Sequence, residues 1–240
     1  MTGEEAGARQ VDSALGNCAK NPSQSWMEPE DVRRWVRWVI ECQLFDDDRW
    51  RRTDGRRKRD DSAAVAARAQ LRHGVGKEVG AVPSIWAYTL ESQRPQLSDQ
   101  KPSWGENAVH TALTLWARHQ GSNAAPMHKA EGEKTPRSFG GAVRALAEKG
   151  RGDKRPEETP VYRRLSSVVA AQTFGALAHH LRGIVDLLEA AEIPMDYGLL
   201  AADLFEWQIP RRRSAVTRRW GRQFARAPIP AESAEDEASE

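Results

Sequence analysis

Cysteine is nearly absent from this chain of 240 residues: only Cys18 and Cys42 occur. Two cysteines supply neither a disulfide framework nor the ligand spacing of a structural zinc site, so the expected setting is a reducing cytoplasm and no cofactor is expected. Long apolar runs are missing too. No stretch approaches the roughly 18 unbroken apolar residues that a membrane helix needs, so no membrane partner is expected. The opening MTGEEAGARQ is acidic and has no apolar segment, so no secretory signal is expected. β-branched residues nowhere alternate with polar ones between turn signals, which argues against a sheet. No segment recurs at a fixed period, which argues against a solenoid.

Catalytic constellations are equally scarce. There is no HExxH and no phosphate loop of the G-x-x-x-x-G-K-[ST] type. Of the six histidines, none forms an i, i+4 pair, and the adjacent His179 and His180 point about 100° apart on a helix, a poor geometry for a shared metal. Gly140-Gly141 opens a helix and has two readings, an anion-binding turn or a close helix contact through small residues, the second being favoured. Glu157-Glu158 lies in a charged link and reads as solvated. Cys42 sits within an apolar helix and reads as core packing. A hydrolase needs clustered carboxylates or a nucleophile with its base; neither is evident, so no enzymatic activity is expected.

What the chain has is arginine and helix. The net charge of +2 hides an uneven distribution. Setting aside the five acids of residues 232–240, the rest carries 36 bases against 29 acids, or +7. Arginine's planar fork suits phosphate oxygens better than a lysine point charge.

The apolar positions fall at helical spacing. Pro29 opens a helix striped by Val32, Trp35, Val36, Val39 and Ile40, with Arg33, Arg34 and Arg37 off that face. Residues 46–61 form an arginine- and aspartate-rich loop that is largely self-neutralised. Ser62 caps a helix to His73, closed by Gly74. A short segment over 82–90 places Ile85, Trp86 and Leu90 on one side. A strong helix follows over 104–119, stopped by Gly121. Residues 121–137 form a long loop of small and polar residues, functional or disordered by its length. Ser138 caps a helix that stops at Gly150. Helices over 161–171 and 173–191 follow, the second striped by Phe174, Leu177, Leu181, Ile184, Val185 and Leu188 and broken by Pro194. Asp196 caps a helix over 197–207 with Leu199, Leu200, Leu204 and Phe205 inward. Pro210 opens the last helix, to about Arg226, with an apolar line of Val216, Trp220 and Phe224. The expected fold is all-α, an irregular bundle of about eight or nine helices. The expected organisation is a flexible tail over 1–24, a helical domain over 25–226 with lobes at about 25–120 and 138–226 joined by loop 121–137, and an acidic tail over 227–240.

The final helix is the sharpest electrostatic feature. Arg211, Arg218 and Arg222 align along one face; Arg212, Arg219 and Arg226 form a neighbouring stripe; the same helix also carries Arg213. These stripes suit phosphate contact, or salt bridges to Glu206 and Asp203. Arg68 and Arg72 are one turn apart, Arg163 and Arg164 open the helix after Pro160, Arg144 lies near the end of its helix, and Arg182 sits opposite the Leu181 and Ile184 side. Trp35, Trp116 and Trp220 fall in apolar stripes, whereas Trp50 and Trp104 lie outside them, where an indole is available to stack on bases.

The order of segments ARAQLRHGVG and PSIWAY, the Trp116 helix, SFGGAVRALA, PVYRRLSSVVAA, and MDYGLLAADLFEW followed by RRWGRQF resembles the CasB family, the small subunit of the type I-E CRISPR surveillance complex Cascade. The resemblance spans roughly residues 29–226. It implies a non-catalytic all-α subunit that sits as a pair against the backbone subunits, near the guide RNA, and helps hold the opened strands of target DNA. The basic residues matching the family pattern are Arg68, Arg72, Arg144, Arg163, Arg164, Arg182 and the set Arg211, Arg212, Arg213, Arg218, Arg219 and Arg222. The expected partners are therefore guide RNA, target DNA, other Cascade subunits and a second copy of the chain. Two other readings stand beside it: a helical DNA-binding regulator using the 197–226 helix pair as a helix-turn-helix, and a structural adaptor whose basic faces meet acidic proteins.

Overall fold

The structure, a computed structural model, describes residues 21–44, 62–94, 97–131, 137–150, 152–153 and 155–226. The loop over 46–61, the Trp50 side chain and the tail over 227–240 lie outside them. Among the described residues every regular element is helical, and nine α-helices give the expected all-α class. The single bridge, parallel, joins His128 to Met195.

Local capping sets most boundaries. Helix α1 (Pro29–Trp38) begins with proline in its first turn and a reciprocal box between Glu28 and Asp31, then continues as a π-helical turn, Val39–Leu44. Helix α2 (Ser62–His73) precedes a short 3-10 turn and α3 (Trp86–Thr89). Helix α4 (Trp104–Gln120) has a capping box: Ser103 Oγ accepts from the Glu106 amide and Glu106 reaches back to the Ser103 amide. Then come α5 (Phe139–Gly150), α6 (Pro160–Val169), α7 (Phe174–Ala191), α8 (Tyr197–Gln208) and α9 (Pro210–Ala225). Thr159, Thr173 and Asp196 cap α6, α7 and α8 through their side-chain oxygens. Helix α7 ends on Glu192 in the left-handed region, two residues before Pro194.

One apolar cluster runs from Trp26 to Phe224 and is shared by helices on both sides of residues 121–137. Helix α8 is its axis, enclosed by α1, α4 and α9. It is therefore buried nearly all round. Leu200, Leu204 and Phe205 face inward as expected, but so do Tyr197, Gly198, Asp203 and Trp207, while Leu199 is only half-buried. Two glycines permit the close approaches. A Cβ on Gly198 would stand 2.6 Å from Arg37 Cγ of α1, and one on Gly140 would stand 2.3 Å from the Trp220 carbonyl oxygen of α9. Gly140-Gly141 is thus the close helix contact and not an anion-binding turn.

The long loop is built into the core over its described part. Met127 and His128 are buried. His128 Nδ1 accepts from the Tyr197 amide at 3.1 Å, which leaves Nε2 to donate to Glu41 Oε1 at 3.1 Å. Tyr197 Oη meets His119 Nδ1 at 2.9 Å. Burial pushes the Glu41 carboxyl up, but His128 and Arg37 outweigh it and hold the group below its usual value. Burial carries His119 down to about 4 against the backbone groups of Leu188 and Ile193, which favour its charged form.

Two expectations are corrected. Trp86 is 46 % exposed, its indole donating to the Gly80 carbonyl, because the segment forms a 3-10 turn that turns Val82, Ile85 and Thr89 inward instead. Cys42 is half-buried and disulfide-bonded, hence not a core thiol; its partner lies outside the described residues. Trp26, which carries no periodic signal, is fully buried against Trp35. Among the described residues no helix is long and apolar enough to cross a membrane, and no three His, Cys, Asp or Glu side chains cluster as metal ligands.

Candidate nucleic-acid interface

Burying Val216, Trp220 and Phe224 fixes how α9 is turned. The arginines beside that line face α8. Arg219 Nε and Nη2 donate to Asp203 Oδ1 at 2.9 and 2.5 Å, and Nη2 also reaches Glu206 Oε2 at 2.6 Å. Arg212 Nη1 lies 3.6 Å from Glu206 Oε1. Trp220 Nε1 donates to Asp203 Oδ2 at 2.5 Å. Burial pushes the Asp203 carboxyl up to about 6 even with Arg219 and Trp220 opposing, so it is charged at neutral pH. Burial also works against the Arg219 charge, but Asp203 and Glu206 hold that group above its usual value.

Other arginines are also engaged internally. Arg213 stacks on Trp207, its Cζ 3.9 Å from the ring centroid, and donates to the Trp207 and Gln172 carbonyls. Arg144, mostly buried, pairs with Glu148, lies over the Phe224 ring and donates to the Phe224 carbonyl. Arg68 donates to the Leu44 carbonyl at 2.8 Å, and the exposed Arg72 to the Gly121 carbonyl at 3.1 Å.

The other six candidate arginines are exposed and make no ion pair among the described residues: Arg163, Arg164, Arg182, Arg211, Arg218 and Arg222. Arg211, Arg218 and Arg222 form the open stripe of α9, beside the locked stripe of Arg212 and Arg219. The sequence offered phosphate contact and salt bridges to Asp203 and Glu206 as competing readings; the salt bridges form, at Arg212 and Arg219.

The remaining three belong to a second track. The Arg164 guanidinium lies over α7, where a Cβ on Gly183 would stand 3.7 Å from its Nη1. The neighbouring Arg182 lies over the turn after α2, with Nη1 3.6 Å from where a Gly76 Cβ would be. That turn carries exposed Lys77, which sequence reading missed; its Nζ meets His73 Nε2 at 2.6 Å. The only local signal for it was a lysine directly after the turn glycine. The two tracks share an end of the molecule. Tyr162 packs on Phe224 with ring centroids 5.4 Å apart, and Arg213 reaches Gln172, so α6 and α9 lie antiparallel. Arg163 and Arg164, at the start of α6, therefore sit at the end of α9 that carries Arg222. Helices hold these side chains at fixed spacing, and among the described residues no carboxylate pairs with them to offset their mutual repulsion.

The model of the CRISPR-associated protein Cse2 family matches residues 67–224. The chain belongs to the Cse2 family. It is similar to CasB from Thermobifida fusca, with 32 % identity and a TM-score of 0.59 over 82 % of this chain and 96 % of that one. A Cse2-family protein of Thermus thermophilus shares the fold at 22 % identity and a TM-score of 0.54, over 83 % of this chain and 98 % of that one. CasB of M. ruber does so at 19 % and 0.52, over 89 % and 99 %. No curated protein matches the chain by sequence. Cse2 is a non-catalytic subunit of Cascade, so this chain is a Cascade subunit with a part in CRISPR interference.

Proposed function

We propose that this Cse2 chain grips nucleic-acid backbone without reading sequence, stabilising the target and non-target strands of the R-loop while bridging the backbone subunits of the complex beside a second copy of itself. The observation that supports it most is the set of six exposed arginines on helices that pair with no carboxylate among the described residues. In an RNA-guided complex base pairing selects the sequence, and strand exchange is nearly balanced, so a few phosphate contacts suffice to tip it. Arg163, Arg164, Arg182, Arg211, Arg218 and Arg222 make those contacts; Arg68, Arg72, Arg144, Arg212, Arg213 and Arg219 hold the helices that present them.

The test replaces Arg163, Arg164 and Arg182 with Ala in the full chain. Affinity for random-sequence DNA falls, as does the lifetime of R-loops formed by the reconstituted complex, while assembly of the complex is intact. Unchanged affinity would refute the phosphate role. A footprint on a palindromic site would establish the helical regulator instead, and normal assembly with no nucleic-acid binding the adaptor.

A further inference from the structure

A cleft of ≈ 470 Å³ opens where the segment before α1, the start of α4 and the junction of α8 with α9 meet. Trp104 stands at its rim, 47 % exposed, held by an edge-on contact with Phe205 at 6.2 Å and 88°. Soluble domains usually bury so large an apolar ring. Three guanidiniums, of Arg94, Arg211 and Arg212, surround the opening, against the single carboxylate of Glu28. Glu28 is turned to the start of α1, where it closes the capping box. Arg94 and Arg212 have partners in Glu91 and Glu206; Arg211 has none among the described residues. The first turn of α9 holds no acid, so its dipole and its arginines act with the same sign on whatever approaches.

We propose that this cleft is a single-strand subsite: an unpaired nucleobase stacks on Trp104 while its phosphate is met by Arg211. An aromatic platform beside an arginine is the arrangement by which proteins hold unpaired bases without regard to sequence. A volume of this order suits a single small-ligand-sized group. Arg211 also begins the open stripe of α9, and Arg222 lies eleven residues further on, roughly 16 Å along the helix at 1.5 Å per residue. A strand following that stripe thus arrives at the cleft. The excess of positive charge favours this occupant over an apolar side chain of a protein partner. The inference rests on the backbone-gripping reading above and adds that one segment of the strand is held unstacked.

The experiment uses the full chain, a 15-nucleotide oligo-dT and an abasic strand of equal length. Trp104→Ala weakens oligo-dT binding about tenfold, the scale of one lost base–aromatic stack, and leaves the abasic strand unchanged; Trp104→Phe recovers most of the loss. A 2-aminopurine placed in the dT strand is quenched by the native chain and not by Trp104→Ala. Arg211→Ala weakens both strands. If Trp104→Ala alters neither strand, or both equally, while Arg218→Ala with Arg222→Ala weakens both, the subsite is refuted and the backbone reading stands. If neither strand binds the native chain, both fall. If Trp104→Ala spares oligo-dT but blocks incorporation into the complex, the cleft is a protein socket and the proposal is overturned.

Discussion

Arg218 and Arg219 are consecutive, and the structure gives their removal opposite consequences. Arg218 and Arg222 are exposed on the open stripe; Arg219 is bound to Asp203 and Glu206. Each phosphate neutralised on duplex DNA contributes about 0.9 to the slope of log affinity against log salt. Removing Arg218 and Arg222 together should therefore flatten the slope by roughly 1.8. Between 50 and 200 mM salt that is about a tenfold smaller loss of affinity. Folding stability should be unchanged within about 0.5 kcal/mol, as for surface sites in general. Arg219→Ala should do the reverse. Asp203 is 7 % exposed and keeps only the Trp220 indole as a donor once Arg219 is gone. A fully buried pair broken this way costs about 3–5 kcal/mol and an exposed one about 1 or less. With Arg219 itself 39 % exposed, the expected loss is about 2 kcal/mol, or roughly 4–8 °C in Tm for a chain of this size. The pH dependence has a defined sign. Asp203 has a folded pKa above its unfolded value of 3.8, and losing Arg219 raises it further. The penalty of Arg219→Ala is therefore full above the folded pKa and shrinks as the pH falls through it. Fluorescence anisotropy across a salt series and thermal melts at pH 8 and 5 measure both effects. A variant at Arg219 that flattened the salt slope without lowering Tm would refute the division of α9 into a locked and an open stripe.

Two stability predictions follow from buried positions. Gly140→Ala places a methyl against the Trp220 carbonyl oxygen and Gln223 Cβ, neither of which can withdraw without moving α9, so the urea midpoint should fall by the equivalent of about 3 kcal/mol. His119, fully buried and carried down to about 4, titrates below its unfolded value of 6.5. Its contribution is complete above 6.5 and is lost as the pH falls toward 4. Between pH 7 and 5 this amounts to about 2 kcal/mol, and urea unfolding of His119→Asn should lack that part of the native chain's acid sensitivity.

Most of the helical framework was legible because its signals are local. Asp196 caps where its spacing says, and Pro29 and Pro210 sit in first turns. The apolar line of α9 was read in full for the same reason. What escaped was set by contacts distant in sequence. Helix α8 was read with one inward side, but three other helices surround it and bury Tyr197, Gly198, Asp203 and Trp207 as well. Asp203 is a core residue only because Arg219 and Trp220 arrive from α9 to meet it. His128 looked like part of a polar loop, yet Glu41 and the Tyr197 amide occupy both of its ring nitrogens. The heptad offsets of the arginines separated the two stripes of α9 without saying which would meet carboxylates. That depended on Asp203 and Glu206 lying on the side of α8 that turns to α9. Lys77 had no periodic partner to mark it.

The Asp203–Arg219–Trp220 contact gives α9 a fixed azimuth. An apolar line by itself specifies which side of a cylinder is wet, but tolerates some roll about the long axis; a short ion pair on one flank removes that freedom. The guanidiniums one residue away are thereby aimed as well as exposed. Basic residues added along the clamped flank would meet Asp203 and Glu206 before they met a ligand, so for this helix grip depends on orientation ahead of the number of charges.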